Sequence, residues 1–354
     1  MNSSQQFNST SLELARSFKL VTNQFVLPFI CFVGFSTNLI NVRIFVDRKS
    51  LASSIYNYFM IHSVNECVYL LLTLVYFLSK KAYENELEFN SFYWLKFYEF
   101  YILHWFTSML AIFMLLLEIG ISLKRLFIIV NFRPKVSLNF WLVISMLFAI
   151  SFVISLPLFF NFSIEASEAG TVRCVYQIAE TTSKYNRQLR YIIYLITLVR
   201  APILPIALLL VSIMIIVCMK RRALKHWRLN NRQLSETDHN RRDPTAFNRR
   251  SGSTTATIGL LFDSNGFFAR ESRFFHALVR VTKMLVLINC ITIVSNFSIL
   301  IVSIVRFKFG RETTEFIIVS NISNILLYLS HSFDIFFYLT YDKLYRLKFR
   351  ALFA

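Results

Sequence analysis

Residues 139–161 read NFWLVISMLFAISFVISLPLFFN and contain no Asp, Glu, Lys or Arg. A helix that crosses a hydrocarbon core about 30 Å thick needs about 20 predominantly apolar residues, and this stretch supplies them. It lacks the period-two alternation of apolar and polar residues that marks a strand of a transmembrane barrel. The stretch therefore predicts a membrane-spanning helix.

Six further apolar stretches of similar length flank this one, and charged residues lie mainly between them. The seven predicted segments, numbered 1 to 7 along the chain, cover residues 21–46, 54–80, 97–130, 139–161, 188–219, 274–306 and 313–341. Lipid offers no hydrogen bonds to a polypeptide backbone, so a spanning chain must form helices or a closed barrel. The predicted fold class is an all-α membrane protein, a seven-transmembrane helix bundle over residues 21–341. Residues 342–354 read as a short amphipathic helix on the inner surface.

The net charge of +18 has two interpretations. Basic chains often bind nucleic acid, but membrane proteins place Lys and Arg in their cytoplasmic loops. Here the basic residues gather after segments 1, 3 and 5 and in the C-terminal tail, most densely within residues 220–273. We therefore expect no nucleic-acid partner and a multi-pass protein of the plasma membrane. Residues 1–20 are expected to be an extracellular tail, residues 220–273 a disordered third cytoplasmic loop, and the C-terminus cytoplasmic.

Asn-x-Ser/Thr triplets agree with this orientation. Those that begin at Asn2, Asn8 and Asn161 fall on the predicted outer side and are candidates for N-glycosylation. Two more, at Asn296 and Asn321, lie inside predicted segments and are not expected to be modified.

Polar residues inside the predicted segments recur at helical spacing and fall on single faces. Ionisable groups within a membrane are costly and usually functional. The stripes comprise Thr107, Ala111, Met114, Glu118 and Arg125 on segment 3, Asn324, Tyr328, His331, Asp334 and Tyr338 on segment 7, His62, Glu66 and Tyr69 on segment 2, and Asn289, Thr292 and Asn296 on segment 6. These faces should meet inside the bundle, where they either hold the helices together or serve a function. For Glu66 and Asp334 we favour a function, because neighbouring carboxyls share either a cation or a proton.

Two basic side chains in the predicted outer half allow more than one interpretation. Arg200, just before Pro202, could bind an anionic group of a ligand, pair with an acidic neighbour, or extend towards the surface. His104 is more consistent with a residue that packs in the core or lines a pocket than with a metal ligand, because no cluster around it has metal-ligand spacing.

Several short motifs resemble those of the rhodopsin-like family of G-protein-coupled receptors, over residues 20–353. They are Gly34-Phe-Ser-Thr-Asn38 in segment 1, Glu66 near the family's acidic position in segment 2, Lys124-Arg125-Leu126 where Asp-Arg-Tyr is usual at the end of segment 3, and Asp334-Ile-Phe-Phe-Tyr338 for Asn/Asp-Pro-x-x-Tyr in segment 7. The resemblance implies a receptor that couples an extracellular peptide or small non-amine ligand to a heterotrimeric G protein, surrounded by membrane lipids and without a cofactor.

The resemblance also implies roles for individual residues. A ligand pocket would be lined by His104, Thr107, Arg200, Asn296 and Tyr328. A central sodium site would use Asn38, Glu66 and Asp334, with no other metal expected, and the G-protein coupling surface would comprise Lys124, Arg125, Lys283 and Tyr338.

The chain departs from the family's pattern at informative positions. Ile335 replaces the proline of segment 7, so a less kinked helix is expected, and Lys124 replaces the acid that usually restrains Arg125. An amine receptor would need a carboxylate near Thr107 and an opsin a lysine near Tyr328, and the sequence has neither. The pattern is typical of a divergent invertebrate-type receptor for a neuropeptide or a chemosensory molecule.

Two other classes of membrane protein compete with a receptor. A transporter or channel with a central polar path often has inverted repeats and several helices broken by Gly or Pro, whereas Pro202 and Pro205 occur in segment 5 alone. A membrane-embedded enzyme needs a nucleophile–base pair or a metal cluster, and the sequence shows no such spacing. We therefore expect no enzymatic activity.

Overall fold

A computed structural model describes most of the chain. The described residues are 3–46, 55–82, 93–130, 139–160, 162–169, 173–180, 195–196, 199–241, 254–309 and 313–353. Within them, seven helices are long and apolar enough to cross a membrane, and they confirm the predicted seven-helix bundle. These spans are Ser11–Val46, Ile55–Lys81, Tyr93–Val130, Phe140–Phe159, Leu204–Leu224, Val279–Arg306 and Thr314–Tyr341.

The helices extend beyond several spans and contain local irregularities. Segment 1 comprises Ser3–Val21, a π-helical turn at Thr22–Val26 and Leu27–Val46; segment 2 is Ile55–Ala82; segment 3 comprises Tyr93–Phe97, a π-helical stretch at Tyr98–Phe106 and Thr107–Val130; segment 4 is Phe140–Phe159. Segment 5 comprises a π-helical turn at Val199–Ile203 and Leu204–Arg241; segment 6 is Thr254–Phe309; segment 7 comprises Thr314–Ser330 and Asp334–Tyr341; a C-terminal helix follows at Lys343–Phe353.

Segment 3 is the central helix of the bundle. In its most apolar window 72% of the residues are buried, whereas in segment 4 only 17% are. It packs against segments 2, 4 and 5. A position surrounded by other helices explains why segment 3 can carry Glu118 and Arg125, because lipid-facing ionisable groups would be far more costly.

Aromatic side chains pack around segment 7 at the end of the bundle that carries the C-terminal helix. Tyr338 is 1% exposed, and its ring centroid lies 5.3 Å from that of Phe45 and 5.5 Å from that of Phe59. Tyr345 of the C-terminal helix lies 5.4 Å from Tyr338, between centroids, and its hydroxyl donates to Asn41 Oδ1 at 2.6 Å. These contacts therefore stabilise the packing of segments 1, 2 and 7 against the C-terminal helix.

Residues 1–20, predicted to be an extracellular tail, include the beginning of a helix. The backbone is helical from Ser3 to Val21 and runs directly into segment 1. Ala15 is 2% exposed, and this helix packs against the first helix of segment 7. Residues 11–20 combine good helix formers with apolar residues, and a helix that is already nucleated by the adjoining span extends at little cost.

The connection between segments 5 and 6, predicted to be a disordered loop, also differs from expectation. The helix of segment 5 continues to Arg241 and that of segment 6 begins at Thr254, so much of residues 220–273 is helical and not disordered. The charge and polarity that predicted disorder do not oppose a helix, because Arg, Lys, Leu and Gln have high helix propensity. Residues 242–253 lie outside the described part of the chain.

An antiparallel hairpin, which the sequence interpretation did not include, follows segment 4. Phe162–Ala169 pairs with Arg173–Glu180, with Phe162 opposite Glu180 and Glu168 opposite Cys174. The sequence FSIEASEA alternates apolar and polar residues, which is the signal of a half-buried strand. The hairpin was not predicted, because its strands are much shorter than the apolar stretches that define the spans.

Candidate functional site

The polar stripes of segments 2, 3 and 7 converge on one imidazole. His62 is 3% exposed, and its Nε2 lies 3.1 Å from Glu118 Oε1 of segment 3. Its Nδ1 lies 3.5 Å from Glu66 Oε2, one helical turn further along segment 2. The same nitrogen lies 3.6 Å from Asp334 Oδ2 of segment 7. His62 is thus the group that three buried carboxyls from three helices have in common.

Each carboxyl also has a second partner, which for Glu66 and Glu118 lies on another segment. Glu66 Oε1 lies 3.4 Å from His331 Nδ1, and Glu118 Oε1 accepts a 3.1 Å hydrogen bond from Thr292 of segment 6. Tyr338 donates to Asp334 Oδ2 at 3.4 Å. We call His62, Glu66, Glu118, His331 and Asp334 the polar core. A small cavity beside it is lined in part by His62, Glu118 and Asp334.

Charge balance explains why the imidazoles lie among the carboxyls. The five side chains of the polar core are 1–8% exposed. An isolated ionised carboxylate in such surroundings would be strongly destabilised, so it needs a positive partner or a proton. His62 and His331 are the bases that contact these carboxyls among the described side chains. Glu66 Oε2 and Glu118 Oε2 nevertheless lack a hydrogen-bond partner, so the network is incompletely satisfied.

A second polar link joins segments 3, 5 and 6 next to the polar core. Asn289 Nδ2 donates to Ser122 Oγ at 2.9 Å and to Ser212 Oγ at 2.8 Å. All three residues are buried, and Asn289 Oδ1 has no partner. The hydrogen bonds therefore tie segment 6 to the central helix, in addition to the contact of Thr292 with Glu118.

The sodium site implied by the resemblance does not fit these donors. Glu66 and Asp334 do converge, but Asn38 Nδ2 donates to the backbone oxygens of Gly34 at 3.0 Å and His331 at 2.7 Å. Asn38 Oδ1 accepts from Asn41 Nδ2 at 3.1 Å. The third ligand-type atom near the two carboxyls is instead a His62 nitrogen, and the three lie within 4.8 Å of one another. Hard cations prefer oxygen donors, so an imidazole in the central position argues against sodium.

Segment 7 is broken despite the missing proline, contrary to the expectation of a less kinked helix. Its helix stops at Ser330 and resumes at Asp334, and Ser332 N bonds to Leu329 O at 2.9 Å across the turn. The backbone oxygen of His331 accepts the amide of Asn38 instead of a helical N–H. A side-chain donor from segment 1 thus stabilises the break that a proline would otherwise produce. The break places His331 and Asp334 together towards Glu66 and His62.

The predicted ligand-pocket residues separate into two groups. Arg200, Tyr328 and His104 share one neighbourhood, since Arg200 interacts electrostatically with the other two. Arg200 Nη1 also donates to Ser108 Oγ at 3.2 Å. Thr107 and Asn296 use their polar groups within their own helices, on the backbone oxygens of Leu103 and Thr292.

The predicted coupling residues on segments 3, 6 and 7 lie towards the end of the bundle that carries the C-terminal helix. Arg125 is 8% exposed, its Nε has no hydrogen-bond partner, and it interacts electrostatically with Tyr56 and Asp342. The Lys124 ammonium lies 4.7 Å from the ring centroid of Tyr58. Lys283 is exposed. Tyr338 is directed into the core rather than to the inner surface, with its hydroxyl on Asp334.

Glycosylation of the three candidate asparagines remains a prediction. Asn2 and Asn161 lie outside the described residues, and Asn8 lies within the helix Ser3–Val21.

A comparison with solved structures identifies the architecture. The chain superposes on the crystal structure of squid rhodopsin with a TM-score of 0.56 over 95% of its own length and 86% of that chain, at 13% sequence identity. This chain has the rhodopsin fold. No protein-family model and no curated protein matches the sequence.

Within the rhodopsin fold, the sequence interpretation omitted three members of the polar core. It proposed Glu66 and Asp334 as the centre but not His62, Glu118 or His331, although all three fell on the recognised stripes. The four-residue spacing of His62 and Glu66 on one helix face was the available signal. The sodium site expected from the resemblance included Asn38 in place of His62.

Proposed function

We propose that this protein is a seven-helix receptor that transmits the binding of an extracellular ligand to a heterotrimeric G protein. The observation that carries the proposal is a buried arginine, Arg125, at the inner end of the central helix of a rhodopsin fold that covers 95% of the chain. A buried guanidinium without a hydrogen bond on its Nε is costly, and a change of helix packing that exposes it would relieve that cost.

The contacts around Arg125 indicate how the inner mouth is held closed. Lys124 cannot restrain it as an acid would, and Asp342 is the carboxylate that interacts with it. Asp342 also accepts a 3.0 Å hydrogen bond from Tyr56 and caps the C-terminal helix through the backbone N–H of Leu344 at 2.9 Å. The restraint therefore comes from segment 2 and from the start of the C-terminal helix. Opening this face would release Arg125 towards a G protein.

The polar core supplies a two-state element for such a transition. Its contacts connect segments 2, 3, 6 and 7, and it retains unsatisfied oxygens that a second arrangement could engage. Networks with alternative hydrogen-bonding partners allow a ligand to bias one packing of helices over another.

The receptor proposal includes an orientation in the plasma membrane. The basic residues of the third inner connection and of the C-terminal helix, which bears Lys343, Arg346, Lys348 and Arg350, are proposed to face the cytoplasm. Arg200 and the hairpin would then face the exterior. The ligand would enter between the outer ends of the segments.

The proposal is tested on purified protein in lipid nanodiscs. GDP release from a panel of heterotrimers is measured in the presence of a panel of peptides and small non-amine molecules. The proteins are the wild type, Arg125→Ala and Arg350→Ala, which removes an exposed arginine from the C-terminal helix. We expect the wild type and Arg350→Ala to accelerate release from at least one heterotrimer, and Arg125→Ala to reduce the acceleration at least tenfold.

Two outcomes would contradict the receptor proposal. One is that no heterotrimer responds to the wild type. The other is that a well-folded Arg125→Ala protein is as active as the wild type. Solute uptake or ion flux by the same protein in liposomes would then favour the transporter or channel alternative.

A further inference from the structure

Arg200 is an inward-facing cation at the outer end of segment 5. It lies in the π-helical turn Val199–Ile203, where the helix is wider and contains Pro202. Its Nη1 donates to Ser108 Oγ of segment 3 at 3.2 Å, so the side chain extends across the bundle and not outward along the lipid. Its Nε is buried without a hydrogen-bond partner. An outward extension to the surface, the simplest alternative for this residue, is therefore excluded.

Arg200 has no acidic partner among the side chains that the structure describes. The groups that interact with it electrostatically are the hydroxyls of Tyr69 and Tyr328 and the imidazole of His104. Glu99, the acid that interacts with His104, is already bound by Lys96 at 2.8 Å and by the Tyr76 hydroxyl at 3.1 Å. The guanidinium is therefore surrounded by neutral donors and acceptors.

A guanidinium in this position is suited to a planar anion. It presents five N–H donors in a fixed fork that matches a carboxylate, and Ser108 engages one nitrogen of the fork. The hydroxyls of Tyr69 and Tyr328 can donate to the same anion, because a phenol is both donor and acceptor. An anionic ligand would offset the cost of a charge that is partly withdrawn from water.

The surroundings also indicate what should be attached to the anion. The ring of Tyr328 lies 6.1 Å from that of Tyr69 and 6.1 Å from that of Phe77, between centroids. Leu70, Met109 and Met114 belong to the same buried apolar cluster as Tyr69 and Phe77. A ligand that extends from Arg200 into this cluster must bury an apolar or aromatic body.

We propose that Arg200, Ser108, Tyr69 and Tyr328 form a binding site for a carboxylate that carries an apolar or aromatic body. The site deepens the proposed function, because it names the chemical class of ligand that the receptor would take. Two sources share this chemistry: a free carboxylic acid, and the C-terminal residue of a peptide. A cationic amine is excluded, because it would be placed against an uncompensated guanidinium.

The test measures binding directly, so that it does not depend on signalling. Purified protein in nanodiscs is titrated with straight-chain carboxylates from acetate to dodecanoate and with 3-phenylpropanoate, and thermal stabilisation is recorded. The methyl ester of each acid is the neutral control. For a peptide C-terminus the probes are N-acetylphenylalanine and its C-terminal amide.

We expect at least one acid to bind and stabilise the protein. The Kd of its uncharged counterpart should be about a hundredfold higher, because loss of a buried charge-assisted pair weakens binding by roughly that factor. Arg200→Gln should weaken binding of the acid by a similar factor and leave the affinity of the ester unchanged. Arg306→Gln, which removes an exposed arginine at the end of segment 6, should change neither affinity by more than a few-fold.

Equal affinities of wild type and a folded Arg200→Gln protein for the acid would overturn the proposal, as would equal stabilisation by acids and esters. A preference for N-acetylphenylalanine over the free acids would support the site and assign it to a peptide C-terminus. Stabilisation that depends on Arg200 without any G-protein response would support the site while contradicting the proposed function.

Discussion

Replacement of His62 by leucine measures how much the polar core depends on its shared base. The substitution keeps a similar volume and removes one 3.1 Å hydrogen bond to Glu118 and the longer contacts with Glu66 and Asp334. Loss of one partner from a buried ion pair costs about 3–5 kcal/mol, because the remaining charge is left uncompensated. Each carboxyl keeps a second partner, so we expect the lower end of that range, about 3 kcal/mol.

The assay is thermal unfolding of the protein in nanodiscs, followed by a thiol-reactive dye that reports exposure of buried cysteines such as Cys31 and Cys67. At roughly 2 °C per kcal/mol for a chain of this size, His62→Leu should lower the Tm by about 6 °C. The control is Ser151→Ala, since Ser151 is equally buried but its hydroxyl bonds only to Leu147 O in its own helix. That variant should change the Tm by less than about 2 °C.

A double-mutant cycle separates the charge contacts from the loss of a packed ring. Glu118→Gln keeps the shape of Glu118 and removes its charge, so in the His62→Leu background it should cost less than it does alone. We expect a coupling energy of about 1–3 kcal/mol. Additive effects of the two substitutions, or a Tm of His62→Leu within 2 °C of wild type, would refute the conclusion that His62 holds the carboxyls together.

Three further substitutions test separate parts of the fold. Gly34→Ala should lower stability by about 1–3 kcal/mol in the same assay, because the added Cβ would overlap Ser332 Oγ and lie 2.8 Å from Leu70 Cδ1. Unchanged stability would show that segment 1 is less closely packed against segments 2 and 7. Asp342→Ala should remove the cap of the C-terminal helix and increase proteolysis within Lys343–Phe353, whereas equal cleavage rates would contradict the capping role. Burial raises the pKa of the Tyr345 hydroxyl above its unfolded value near 10. The hydroxyl therefore contributes fully to the free energy of unfolding below about pH 10, and this contribution is lost as the pH rises through the folded pKa. Tyr345→Phe should therefore reduce the loss of stability between about pH 10 and pH 12, and an identical alkaline profile would contradict this.

The bundle could be predicted from the sequence because each helix that crosses lipid needs a continuous apolar stretch of sufficient length. Apolar runs of the right length specify spans, and the inner ends of segments 1 and 3 fall at Val46 and Val130 in both the prediction and the structure. Hydropathy says nothing about where a helix ends in water. The helical extensions to Arg241 and from Thr254 were missed for that reason.

The polar core was predictable only in part. Helical spacing placed Glu66 and Asp334 on inward faces, and the resemblance brought them together. The position of His62 between them depends on where segment 7 breaks, and that break follows from the amide of Asn38 in segment 1. Such a long-range contact gives no local sequence signal for a helix break, whereas a proline at position 335 would have given one.

The contacts of the polar core extend into a continuous path between the two ends of the bundle. Towards segment 5, Tyr69 interacts electrostatically with Arg200, and its ring centroid lies 5.0 Å from that of His331. On the inner side, Asp334 contacts Tyr338, whose ring packs on Tyr345 beside Asp342.

Spatial continuity alone does not establish coupling, which requires an element with two arrangements that both ends can bias. Under the receptor proposal, we expect the break in segment 7 to be the element that changes. It is stabilised by one hydrogen bond from Asn38 to the backbone of His331, and the side chain of His331 is the point where the outer aromatic residues meet Glu66. A ligand that moves Tyr69 or Tyr328 would act on His331 directly. A rotation there would affect both carboxyls, because Glu66 contacts His331 at the break and Asp334 begins the helix that follows it.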